Sequence, residues 1–209
     1  MKDMGAPMGL RQWLEGKVQM RERVPPGQHA VTSFPVLHVG PVPPFDPTTW
    51  RLRFFGLVQE EKSYTYDELT SATLFPYTTV HADFHCVTSW SKLDNVWGGA
   101  KFTDLLAQFE VHAGAQYVMV HCAYGYTTNL PLADLSHDSV LFAWQHNGVD
   151  LDPEHGYPLR LVVPHLYGWK SAKWVRGIEF TSEDQPGYWE QRGYHLYGDP
   201  WKEQRYRWS

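Results

Sequence analysis

His155-Gly156-Tyr157-Pro158-Leu159-Arg160-Leu161-Val162-Val163-Pro164-His165-Leu166-Tyr167-Gly168-Trp169-Lys170-Ser171-Ala172-Lys173-Trp174-Val175 is the stretch on which the reading of this chain turns. Two apolar runs, 160–164 and 172–180, read as strands. The residues alone make the segment a β-hairpin with charged edges. Gly156 and Gly168 leave the backbone free to approach a ligand closely. Arg160, Lys170 and Lys173 supply cations, and His165 and Ser171 supply donors. Backbone N–H groups, a guanidinium or ammonium, and room for close approach are what a phosphate requires. Solvated edge charges account for the same pattern without any ligand.

Upstream lies His85-Cys86-Val87-Thr88-Ser89-Trp90-Ser91. The run from Thr78 to Val87 is β-branched at its start and reads as a strand that leads straight into Cys86. Three fates are open to that thiol. A lone cysteine is most often buried and inert. A nucleophilic thiolate needs a base, yet on a strand His85 points to the opposite face from Cys86. A structural zinc recruits paired ligands at short spacing, and no C-x2-C occurs here. His81, His85, His121 and Cys122 are the residues such a cluster would have to use.

The rest of the chain is strand-rich. Residues 50–58 alternate apolar and basic, the mark of a half-buried strand. Thr65 with Glu68 three residues on forms a capping box at a helix start. Residues 101–111 carry apolar positions at helical spacing, with Thr103 as the cap. Residues 115–124 read as a buried strand. Residues 130–135 and 140–147 read as further short strands or turns, with Asn147-Gly148 a turn. A short helix is expected near Leu10–Gln19, inside an N-terminal arm over 1–30. Pro35, Pro41, Pro43, Pro44 and Pro47 make 31–47 an ordered, extended loop. The tail, 181–209, reads as irregular. These elements predict one α+β domain over 1–209, dominated by β structure.

Composition bounds the partners. The 209 residues carry 18 Lys and Arg against 23 Asp and Glu, a net of −5, which leaves no electrostatic footprint for nucleic acid. No apolar stretch approaches the ~20 residues needed to span a bilayer. The first residues lack an apolar signal core and paired arginines, so the expected location is cytoplasmic. Cys86 and Cys122 are then reduced thiols. The 10 Trp, 12 Tyr and 10 Phe build an aromatic core and surface; a base-stacking groove is disfavoured because no basic stripe accompanies the rings.

Taken together, the cysteine run and the glycine-punctuated loop resemble the molybdopterin domain of the sulfite oxidase superfamily. The resemblance covers roughly residues 34–180, including His38-Val39-Gly40-Pro41-Val42-Pro43 and Tyr126-Thr127-Thr128-Asn129-Leu130-Pro131-Leu132. It implies the fold of that domain and a molybdenum–molybdopterin cofactor with Cys86 as the metal ligand. A thiolate is a suitable soft donor for a metal already held by dithiolene sulfurs, so one cysteine suffices. By the same resemblance His38, His85, Cys86, Trp90, Gly156, Arg160, His165, Gly168, Lys170, Ser171 and Lys173 bind the cofactor. Cys86, His38, Thr88, Tyr126 and Trp144 stand at the reacting centre.

The departures are informative. Sulfite oxidases carry an arginine in the loop before Pro-x-Pro, where this chain has Leu37-His38-Val39-Gly40. They carry Asn-Arg-Arg after the cysteine, where this chain has Thr88-Ser89-Trp90-Ser91. Trp144 stands at the position that matches their metal-proximal tyrosine. The Cys-Val-x-x-Trp run is closer to the bacterial methionine sulfoxide reductase catalytic subunit. The resemblance therefore implies oxygen-atom transfer on a small S- or N-oxide, with sulfite oxidation as the alternative. Arg51, Arg53 and Arg176 are the cations that could restore charge to the pocket. A separate electron-transfer partner is expected, since no haem domain is present. From another class, the same scaffold could serve as a cofactor-free binding protein.

Overall fold

A computed structural model describes residues 22–209. The helix expected near Leu10–Gln19 lies outside the described residues. Two sheets organise the chain. The first holds β1 (His29–Val31), β4 (Thr78–His85), β5 (Trp90–Lys101), β8 (Leu141–His146), β9 (Val149–Asp150) and β10 (Arg160–Val162). The second runs β3 (Lys62–Thr65), β2 (Arg51–Gly56), β11 (Val175–Thr181), β6 (Tyr117–Cys122) and β7 (Thr127–Pro131). Helices are short: α1 (Tyr66–Thr70), α2 (Phe102–Leu106) and α3 (Leu132–Leu135). The α+β, β-dominated expectation holds.

Local chemistry explains several elements. In β2 Leu52 and Phe54 are buried while Arg51 and Arg53 face water, the alternation read from sequence. Thr65 caps α1 in a full capping box with Glu68. Asn147 and Gly148 both take positive φ and close the β8–β9 turn. Two expectations need correction. Lys101, not Thr103, is the cap residue of α2, and it makes no side-chain capping bond. Leu132–Leu135 turns into a helix rather than a strand, because Pro131 ends β7 and starts the helical turn.

The core lies where the sheets face each other. Leu52, Phe54, Val120, Ile178 and Phe180 of one meet Phe142 and Leu161 of the other and Phe102 of α2, all nearly fully buried. The 155–175 segment crosses between the sheets. Its first strand, β10, pairs with β8, and its last, β11, pairs with β2 and β6. The hairpin expected there survives only as an isolated bridge between Arg160 and Lys173. That crossing lets one loop line a cavity between layers.

Candidate functional site

The β4–β5 hairpin presents Cys86 at its tip. His85 pairs with Ser91 across the ladder, and four residues, 86–89, make the turn. Cys86 N–H donates to Trp90 O at 2.9 Å, and Ser89 N–H donates to Cys86 O at 3.0 Å. Ser89 takes φ +73°, a left-handed conformation that a non-glycine residue keeps only when its surroundings hold it. The His85 ring turns away, buried, with Nδ1 2.9 Å from Ser91 Oγ; burial lowers its pKa, so it is a neutral imidazole. The opposition of His85 and Cys86 expected from strand geometry is thus present, and no Cys–His pair forms between them.

Cys86 lines a cavity of about 300 Å³. Its Sγ lies 3.2 Å from Thr88 Oγ1. Burial raises the thiol pKa, while Thr88 and the nearby Arg205 and Lys173 act the other way. The wall is aromatic and includes Phe34, Phe84, Trp90, Trp169 and Trp174.

Two cations reach this cavity, and among the described residues no carboxylate lines it. Arg160 is 1% exposed. It donates to two carbonyls, His155 O at 3.0 Å and Ser171 O at 3.1 Å. Its Nε has no partner. Phe34, Phe84 and Trp97 surround the guanidinium at 5.7, 5.2 and 5.0 Å. Burial pushes its pKa down to about 9, which leaves it charged at neutral pH. Lys173 Nζ donates to Leu37 O at 2.9 Å and Glu154 O at 2.6 Å. Burial, with Arg160 close by, pushes its pKa down to about 7. Buried charge without a counter-charge is costly unless something anionic joins it. Gly168 closes the arrangement: an added Cβ would stand 2.5 Å from the Phe84 ring, so the backbone here passes closer than any side chain allows.

The structure brings together His38, Cys86, Thr88, Trp90, Tyr126, Arg160, Gly168, Ser171 and Lys173 around one cavity. His38 packs edge-on against Trp174, and Tyr126 O–H donates to Trp169 O at 2.6 Å. Gly156 lies behind, against the Cβ atoms of Arg160 and Lys173. Four named residues lie elsewhere. His85 is buried behind the turn. Trp144 packs in the main core beside Tyr77, so it does not take the metal-proximal place assigned to it. His165 contacts Asp134 at 3.1 Å, away from the cavity. Lys170 turns into a buried ion pair with Glu190 at 2.6 Å and also donates to Asn129 and Leu196. Arg51 and Arg53 stay outside on β2, Arg176 lies over Trp50, and none lines the cavity.

Sequence reasoning missed Phe34, Phe84, His155, Trp169, Trp174, Trp189 and Tyr194. His155 stacks on Phe34 at 4.5 Å. Trp189 and Tyr194 stack on each other at 4.8 Å and come from the tail read as irregular. The signal was Glu190, a lone acid among aromatics, which anchors the tail through Lys170 and the Trp169 indole at 2.7 Å. Lys170→Ala leaves Glu190 buried and unpaired, at a cost of about 3–5 kcal/mol. Chemical denaturation should show that loss, with the tail released first, as increased proteolysis after residue 183.

The donor set suits a metal held by one protein thiolate and an anion held by two cations. Among the described residues no group of three or more His, Cys, Asp or Glu is arranged to hold a metal alone. The unpaired Arg160 Nε and the carbonyl-only partners of both cations fit a phosphate.

The family model described as "Oxidoreductase molybdopterin binding domain" matches residues 39–189. An uncharacterized oxidoreductase, YuiH, of Bacillus subtilis is 51% identical over 90% of this chain and 93% of its own length. A putative protein-methionine-sulfoxide reductase subunit, YedZ1, of Azospira oryzae is 31% identical over 73% of this chain and 57% of its own. The sulfane dehydrogenase SoxCD of Paracoccus pantotrophus shares the fold, with a TM-score of 0.62 at 21% identity over 91% of this chain and 56% of that one.

Proposed function

The chain belongs to the oxidoreductase molybdopterin-binding domain family, and on that premise we propose that it acts as one domain, holds a molybdenum–molybdopterin cofactor through Cys86 and takes an oxygen atom from a small S- or N-oxide or returns one to its deoxygenated form. The observation that supports this most is the meeting of Cys86, Arg160 and Lys173 in one carboxylate-free cavity.

The cofactor would supply two-electron oxygen-atom chemistry. Each protein group then has a task. Cys86 gives the metal its thiolate. Thr88 holds that sulfur by a hydrogen bond. Arg160 and Lys173 anchor the pterin phosphate, Arg160 through the donor it leaves free. Ser171 Oγ accepts from Val163 N–H at 2.9 Å and so braces the loop between them. Trp169, Trp174, Trp189 and Tyr194 wall off water. A cofactor-free binding protein gains nothing from an uncompensated buried guanidinium in the same cavity as a part-exposed thiol.

With both cavity cations committed to the phosphate, the remaining wall offers imidazoles and aromatic rings to the substrate. A sulfite dianion gathers no further cation there, whereas a neutral oxide needs none. The missing contacts would cost sulfite several kcal/mol of binding if they were buried. Steady-state assays with sulfoxides and N-oxides as acceptors and sulfite as donor decide. Turnover of the oxides with weak sulfite oxidation is the expected result. Efficient sulfite oxidation at low sulfite concentration would show that Arg160 or Lys173 serves the substrate instead. A separate carrier in the cytosol delivers or removes electrons in this reading. Among the described residues no helix is long and apolar enough to cross a membrane.

A further inference from the structure

The Cys86 turn is held from both ends of the described chain. From the N-terminal side, Gln28 Nε2 donates to Cys86 O at 3.0 Å, and His29 N–H donates to Ser89 O at 3.0 Å. From the tail, Arg205 Nη1 donates to Val87 O at 2.5 Å and to Ser89 Oγ at 3.4 Å. Its Nη2 reaches Pro26 O and Gly27 O, each at 3.4 Å. The guanidinium sits 5.1 Å from the centre of the fully buried Tyr167 ring, which stacks on Trp169 of the cavity wall. One side chain therefore ties three segments, distant in sequence, around the residue that carries the thiol. Arg205 lies outside the matched family segment, 39–189.

We propose that Arg205 is a positioning residue for Cys86: its guanidinium clamps the Val87–Ser89 turn against Pro26–Gly27 and so sets the direction of Sγ into the cavity. The inference rests on the reading of Cys86 as metal ligand. The turn needs such a clamp because its left-handed Ser89 is costly, and its own ladder supplies few bonds. A fork with five donors can bond carbonyls on both sides at once; an ammonium is a point charge without that geometry. Gly27 shows how closely the clamp is fitted. It takes φ +66°, and an added Cβ would lie 2.6 Å from Glu203 Oε1 and 3.1 Å from Arg205 Nη2.

The test uses whole protein from molybdate-supplied cells, comparing Arg205→Ala, Arg205→Lys, Gly27→Ala and, as a tail control, Arg207→Ala, whose side chain donates to Glu190 O. In Arg205→Ala, molybdenum content should stay close to the unmodified protein's. The sulfur-to-metal absorption band should shift, and turnover should fall roughly ten- to hundredfold, as for other residues that orient a metal ligand. Arg205→Lys should recover part of both, and Arg207→Ala should move neither. Hydrogen exchange on cofactor-free protein supplies a second readout: the amides of Cys86 and Ser89 should exchange faster in Arg205→Ala, with β2 and β11 unchanged. If Arg205→Ala does not fold, Gly27→Ala, whose added methyl would crowd Glu203 Oε1 at 2.6 Å and the guanidinium at 3.1 Å, should give the same band shift. An unshifted band and undiminished turnover per molybdenum in a folded Arg205→Ala or Gly27→Ala protein would overturn the proposal. Cys86→Ser run alongside separates the two ideas: if it also leaves the band unchanged, the ligand assignment has failed, not the clamp.

Discussion

Cys86→Ser abolishes turnover and leaves the fold in place. The substitution is nearly isosteric, and Cys86 sits in a turn whose bonds are made by its backbone, to Trp90, Ser89 and Gln28. Stability should change little, so circular dichroism and the melting curve stay close to those of the unmodified protein. An alkoxide is a much harder donor than a thiolate, and a serine at that position rarely ionises to provide one. On the proposed assignment the metal would then lose its one covalent tie to the protein. Activity should drop by several orders of magnitude, with loss of the sulfur-to-metal absorption. Cys122→Ser is the matched control. Cys122 is buried in the main core, where burial alone raises its pKa, and it does not line the cavity. That variant should keep its activity and lose ~1–3 kcal/mol of stability for burying a hydroxyl. Full activity in Cys86→Ser would remove the thiolate from the account.

Arg160→Met, Arg160→Ala and Lys173→Ala lose cofactor before they lose chemistry. On the proposed assignment each cation would supply charge-assisted hydrogen bonds to the phosphate, worth ~1.5–3 kcal/mol or roughly ten- to hundredfold in affinity. The larger effect belongs to Arg160, whose charge is surrounded by rings and reaches only backbone carbonyls. Methionine fills most of the space that alanine would leave empty, which separates lost charge from lost packing. After dilution and dialysis, pterin and molybdenum per chain should fall, while turnover per remaining molybdenum stays near normal. The pH dependence follows from Lys173. It is cationic below about 7 and neutral above, so retention should weaken as pH rises from 6 to 8. Lys173→Ala should flatten that dependence. Full occupancy in all three variants would mean that these charges hold something other than the pterin phosphate.

How much of this was legible in the residues differs by element. The alternation of β2, the Thr65–Glu68 box and the Asn147-Gly148 turn are local, and the structure contains each of them. The strand into Cys86 was legible for the same reason. The longest strand, β5, was not. Trp90–Lys101 mixes Lys92, Asp94, Asn95 and two glycines with apolar residues, because it pairs with β4 along most of its length and with β1 and β8 in turn. Such a pattern is set by tertiary partners, not by periodicity.

The site shows the same division. Arg160, Lys173 and Cys86 are polar or reactive groups in apolar runs, and the family resemblance is what assigns them to a cofactor. Lys170 was named for the same reason and faces the other way, since a lysine aimed at a phosphate and one aimed at Glu190 look alike in sequence. Trp144 was placed by alignment of a motif, yet its strand turns that ring into the core. The tail gave no periodic signal, so Trp189, Tyr194 and Arg205 became visible only when the chain closed back on the Cys86 turn.

Metal and pterin analysis of the purified chain, made in cells supplied with molybdate, decides whether Cys86 and its cavity hold a molybdenum–pterin group. Molybdenum at about one per chain, a pterin in equal amount, and a visible absorption band that disappears with Cys86→Ser are the expected results. Zinc in its place, or a chain that takes up neither molybdenum nor pterin under those conditions, would contradict that assignment.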